Sequence, residues 1–139
     1  MNAVSITFPS GNSKEFAWGV RASQLLQDPE FEAPDDPVVA VLVNNELTSL
    51  SFKLEFNATV QPVTLNSAEG QRVYRRSLCF LLYMAASRAF PHRHLVIGHS
   101  LGDGYYYTFH DECEVSDEEI ERIRSTMNEL VSENFPIVR

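Results

Sequence analysis

The stretch Leu95 to Phe109, LVIGHSLGDGYYYTF, can be folded in two ways. Gly98-His99-Ser100-Leu101-Gly102 spells G-x-S-x-G behind an apolar run. On a strand–turn–helix, that spacing lifts a nucleophilic serine onto a sharp turn. On a hairpin, it is a glycine-rich turn between two strands. The residues after Gly102 decide between them. A nucleophilic turn needs a helix there, because its first amides build the oxyanion hole. Asp103-Gly104 followed by Tyr105, Tyr106 and Tyr107 is a turn former and then a β-former. Only His110 follows Ser100, with no strand–helix units between. A serine ester hydrolase using Ser100, with His99 beside it, is therefore the weakest reading. Ser100 is expected as a turn residue between strands at 95–97 and 105–109.

Outward from this hairpin, the pattern on both sides is helical. From Gln71 to Phe90, Val73, Ser77, Phe80, Leu81, Met84, Ala85 and Arg88 recur at helical spacing, and Pro91 stops the run. Ser116-Asp117-Glu118-Glu119 spells a capping box, and Ile120, Ile123, Met127, Leu130 and Val131 form the stripe of the helix it opens. Asn134 and Pro136 end that helix. The second half thus reads α-β-β-α.

The first half reads β-β-α-β-β-β. Val4, Ile6 and Phe8 alternate on one strand face, Pro9 to Asn12 turns, and Glu15 to Trp18 returns. Ala22 to Gln27 is a short helix, and Asp28 to Pro37 an acidic, proline-rich loop. Val38 to Val43 is an unbroken apolar run, the pattern of a buried central strand, expected beside the first one. Asn44-Asn45 turns into Glu46–Leu50. In the last strand, 60–65, Pro62 predicts irregular or edge pairing. A hairpin, a crossover helix and then a buried strand describe a ubiquitin-like β-grasp. The fold class is α+β, with one domain over 1–66, a polar hinge, and a second module over 70–139.

Composition narrows the function. The 139 residues are 44% hydrophobic and 22% charged, as in a folded soluble protein. No apolar stretch reaches a membrane span, and no secretion signal opens the chain, so a cytoplasmic protein without membrane partners is expected. Cys79 and Cys113 read as reduced thiols. The net charge of −8 argues against the whole surface coating nucleic acid. The balance is uneven, however. Residues 71–93 hold five arginines and no acid, whereas residues 1–70 hold three basic and nine acidic side chains.

At this point the chain resembles a known frame. Val43-Asn44, Leu50, Ala58-Thr59-Val60 and Glu69-Gly70 resemble a TGS domain, the β-grasp module that opens threonyl-tRNA synthetases. Phe90-Pro91, Ile97-Gly98, Asp103-Gly104-Tyr105-Tyr106 and Asn134-Phe135-Pro136-Ile137 resemble the synthetase's second, editing domain. The resemblance implies that the second module is incomplete at its C-terminus. In the synthetases, the first helix of this domain carries H-x-x-x-H for hydrolysis of mischarged Ser-tRNA. Counting back from Phe90-Pro91, those positions are Arg76 and Phe80. Neither supplies an imidazole. The run Tyr74-Arg75-Arg76-Ser77-Leu78-Cys79-Phe80 is similar to that of uridine kinase-like proteins, which join such a region to a P-loop kinase. No G-x-x-x-x-G-K-[ST] occurs in the chain.

These readings give a non-catalytic regulatory or ligand/RNA-binding region of a uridine kinase-like protein. The alternative is the N-terminal region of a threonyl-tRNA synthetase-related editing protein. The ligand-binding candidates are Arg72, Arg75, Arg76, His99, Ser100, Tyr105 and Tyr107. His99 is expected to face the basic helix. No catalytic residue and no metal site is assigned, because His92, His94 and His99 lack a nearby thiolate. No cofactor is expected in this chain; ATP and Mg would belong to a parent kinase domain. The expected partners are that kinase domain, RNA or a nucleotide, and a second copy of the chain.

Overall fold

A computed structural model of the chain describes residues 2–31, 35–102, 104–111 and 113–136. The chain is α+β and divides into two compact units, Met1–Tyr74 and Arg75–Arg139. The division falls inside a long helix, a few residues beyond the hinge read at 66–70.

The first unit is built on β1 (Ala3–Thr7), β2 (Ser13–Ala17), β3 (Val20–Arg21), α1 (Ala22–Leu25), β4 (Val38–Val43), β5 (Glu46–Thr48), β6 (Lys53–Leu54) and β7 (Ala58–Thr64). Five of these strands form one sheet in the order β2-β1-β7-β4-β5. β1 pairs antiparallel with β2 and parallel with β7, while β4 lies between β7 and β5. The expectation that Val38–Val43 lies beside the first strand is thereby corrected, because β7 takes that place. β7 buries Ala58 and Val60 on one face and Val63 at the opposite parity, and it pairs with β1 on one edge and β4 on the other. Pro62 pairs with Val41 past the point where β1 stops pairing, so one flank of β7 is open where the proline sits. The ribbon β3–β6 is too short to leave a periodic signal, and the sequence reading has neither strand.

Apolar alternation fills the core beneath this sheet with Ile6, Phe8, Leu25, Val41, Leu54 and Val60, all fully buried. The turn at Asn44 and Asn45 needs positive φ at both positions, and the two residues adopt +50° and +68°. Asn44 also ties the turn to β7. Its Oδ1 accepts from the Thr59 amide at 2.9 Å, and its own amide donates to the Thr59 carbonyl.

The helix α2 (Ala68–Ala89) starts inside the stretch read as a hinge. Ser67 caps it. Its hydroxyl accepts from the Gly70 amide at 3.0 Å and donates to the Thr64 carbonyl at 2.7 Å.

The second unit packs α2 and α3 (Asp117–Glu133) with the hairpin of β8 (Leu95–Leu101) and β9 (Gly104–Phe109). Its core is Ala85, Ala86, Leu95, Phe109, Ile123 and Leu130. Of the α2 face expected, Ala85 is buried and Leu81 and Met84 pack against the core, but Phe80 is half exposed and Ser77 and Arg88 are exposed, and Ala86 and Ala89 are buried in addition. Three alanines let large neighbours such as Phe109 approach the helix closely, so the contact face follows the small residues rather than the largest ones. On α3, Val131 is exposed and Thr126 is buried in its stead, its hydroxyl donating to the Arg122 carbonyl. The capping box forms as read: Ser116 Oγ accepts from the Glu119 amide, and the Glu119 carboxylate accepts from the Ser116 amide.

Candidate functional site

On α2, Arg75, Leu78, Cys79 and Leu82 stand at i, i+3, i+4 and i+7 and so share one face. The same stripe continues into the core at Ala85, Ala86 and Ala89. On β9, Tyr105 and Tyr107 alternate onto one side of the strand. Together with Gly104 and with Met127 of α3, these side chains line a groove of about 280 Å³. Gly104 has open space where a Cβ would stand, apart from the Leu101 carbonyl at 3.7 Å, and keeps this end of the groove low.

The chemistry of the lining is narrow. Most of it is apolar, and its polar groups are the Arg75 guanidinium, the Tyr105 and Tyr107 hydroxyls and the Cys79 thiol. Such a groove can hold a flat or aliphatic group and offer one fork of donors to an anion. Among the described residues, no imidazole and no carboxylate lines it. Among the described residues, no three His, Cys, Asp or Glu side chains cluster as metal ligands. Both cysteines are free thiols, Cys79 half-buried and Cys113 exposed.

The structure brings together three of the seven candidate residues: Arg75, Tyr105 and Tyr107. Arg76 stands one residue round the helix, exposed and outside the groove. Arg72 is exposed and belongs to the first unit. His99 does not look onto the basic helix. Its ring stacks on Tyr106 with centroids 6.1 Å apart and planes 22° apart. Tyr106 lies between the two groove tyrosines in sequence and so points to the opposite face of the strand. The cause is a bulge. Register runs Ile97↔Tyr107 and then Ser100↔Tyr105, leaving Gly98 and His99 opposite Tyr106.

Ser100 is a strand residue rather than a turn residue, because β8 continues through Leu101 before the chain turns at Gly102. Asp103 of the expected turn, and Ile137 of the expected C-terminal pattern, lie outside the described residues. A strand follows where a nucleophilic serine needs a helix, and among the described residues no histidine or carboxylate bonds to Ser100. The strand after Gly102 speaks against a nucleophilic turn at Ser100.

The arginine cluster also shrinks. Arg88 is bound by Glu133 at 2.9 Å. Arg93 lies 3.8 Å over the Phe109 ring and holds both Asp111 and Glu119. Its hydrogen bond from Arg93 keeps the Asp111 carboxyl below its ordinary range, and Arg93 is raised in return. These two arginines are structural ties. The sequence reading missed Leu78, Leu82 and Met127, although the 75–78–82 spacing carries the signal for the first two.

Comparison with known proteins now bears on this arrangement. The similarity lies with threonine–tRNA ligases. The ligase of Desulforamulus reducens is 34% identical over 98% of the chain, and that of Staphylococcus saprophyticus 32% identical over all of it. The ligase of Streptococcus equi subsp. zooepidemicus is 31% identical over 98%. The match falls on the N-terminal region of these proteins, and the chain spans about one fifth of their length, 21% in each case. No protein-family model matches the chain. These relatives support the synthetase-like resemblance. They lend no support to a uridine kinase parent, and they favour the alternative read from the sequence.

Proposed function

We propose that this chain is the N-terminal region of a threonyl-tRNA synthetase-related protein and that it binds tRNA without hydrolysing an aminoacyl ester on it. Similarity to the ligases along essentially the whole chain carries the reading. The strand order β2-β1-β7-β4-β5 with parallel β1 and β7 fits a TGS-like β-grasp as the first module. The α2-β8-β9-α3 unit fits an editing-domain-like second module. By the count from Phe90-Pro91, Arg76 and Phe80 take the positions of the histidine pair, both on the solvent side of α2, and no imidazole is among the described residues that line the groove beside them. The groove then receives a nucleotide end, its ring against Leu78 and Tyr105 and its phosphate on Arg75.

A second reading, a regulatory region of a uridine kinase-like protein, rests on the run Tyr74 to Phe80. Calorimetric titration separates the two. Heat from tRNA, with none from uridine or ATP, supports the synthetase-related reading. Heat from uridine or ATP alone overturns it.

A further inference from the structure

The open end of the β8–β9 hairpin continues past its last ladder pair, Leu95↔Phe109. His110 donates its amide to the His94 carbonyl at 2.8 Å. One step further out, Arg93 holds the Asp111 carboxylate through Nε at 2.7 Å and through a terminal nitrogen at 3.1 Å. His94 and His110 thus stand directly opposite each other, with a fixed pair on either side of them. The partner of His94 comes from the facing strand, so the pair exists only once the hairpin has formed.

Contacts on both sides settle which face the two histidines share. Leu95 and Phe109 are buried in the core of the second unit. Arg93 lies over the Phe109 ring and keeps Asp111 on its own side. The chain neighbours of both histidines therefore turn toward the core. Successive side chains of an extended chain alternate, so His94 and His110 turn the other way together, and both are exposed. Side chains directly opposite on one face have Cβ atoms roughly 4.5–5.5 Å apart, which brings two imidazoles within reach of one ion. The next pair inward on that face, Val96↔Thr108, carries no charge. The Arg93 cation is engaged by Asp111 and Glu119 on the other face.

We propose that His94 and His110 form a two-imidazole site for a divalent cation of the Zn2+ class. Neutral imidazole is a ligand for late first-row metals, whereas Ca2+ and Mg2+ call for oxygen donors that this pair does not supply. Two protein ligands leave the other positions of a tetrahedral Zn2+ to water or to a donor from another molecule. The bound ion ties β8 to β9 where their ladder ends. It binds the folded hairpin and not the unfolded chain, in which the two histidines are apart, so binding stabilises the second unit. Neither histidine lines the groove, and the site is independent of the tRNA reading.

The test is calorimetric titration of the chelator-treated full chain with Zn2+, beside thermal melts with and without the ion. One ion per chain and a melting temperature raised by Zn2+ are expected. His94→Ala and His110→Ala each lose both effects while keeping the wild-type circular dichroism spectrum, because both side chains are exposed. His99→Ala and Cys113→Ser keep both effects, since the His99 ring is stacked on Tyr106 and the Cys113 thiol lies outside the pair. In nitrogen NMR of the wild-type chain, the imidazole signals of His94 and His110 shift together as Zn2+ is added. Absence of Zn2+ binding by the wild-type chain overturns the site. So does wild-type affinity in either His→Ala variant, or loss of binding in Cys113→Ser.

Discussion

At the residue scale, Gly70 shows how closely the chain is packed where the sequence reads as a loose hinge. A Cβ there would stand 1.8 Å from the Thr64 carbonyl oxygen and 3.0 Å from Ser67 Oγ. The first obstacle is backbone that is itself tied to Ser67, so it cannot swing aside. Gly70→Ala is expected to cost about 2 kcal/mol or more, as for other overpacked sites, despite alanine's better helix propensity. Urea unfolding measures this, and a neutral or stabilising result contradicts the packing described. Nothing in the sequence warns of this, because polar residues before a helix look alike whether they hinge or cap. His99 shows the complementary limit. Its neighbours are readable as a hairpin, but a bulge inverts which face a side chain takes, and no periodicity announces a bulge.

At the element scale, α3 announces itself in full. Ser116 and Glu119 form the reciprocal cap that their spacing predicts. Ser116→Ala is expected to cost about 1 kcal/mol in thermal or denaturant melts. Arg93 joins this cap to the hairpin through Asp111 and Glu119. Since the Asp111 carboxyl titrates below its unfolded value, its contribution is complete above that unfolded value and is lost as pH falls through the folded one. Below about pH 4, wild-type stability should therefore fall more steeply than that of Asp111→Asn. Parallel acid titrations by circular dichroism check this, and coincident slopes would remove the clasp. The long helix α2 was readable in extent but not in orientation. Its period is plain, yet hydrophobic size misleads where small residues set the contact, as Ala85, Ala86 and Ala89 do.

At the scale of the whole molecule, the element order can be read from the sequence except for the short strands β3 and β6, and the α+β class follows from it. What cannot be read is the neighbour of β1, because the unbroken apolar run of β4 marks it as central while β7 alternates, and only the three-dimensional path puts β7 between β1 and β4. The groove was half readable. Arg75, Tyr105 and Tyr107 stand out by chemistry, while Leu78, Leu82 and Met127 look like ordinary core residues until the helix is oriented. The second unit therefore carries a groove whose described lining is mostly apolar, with one guanidinium, one thiol and two phenols as its polar groups. Arg75→Ala and Tyr105→Ala are each expected to weaken tRNA binding severalfold in calorimetry while leaving the fold intact, Tyr105 being exposed. Incubation of the chain with radiolabelled seryl-tRNA on a native gel tests binding and hydrolysis together. A retarded band that keeps its seryl label at the rate of buffer alone is the predicted result. An unretarded band, or loss of the label faster than in buffer, contradicts it.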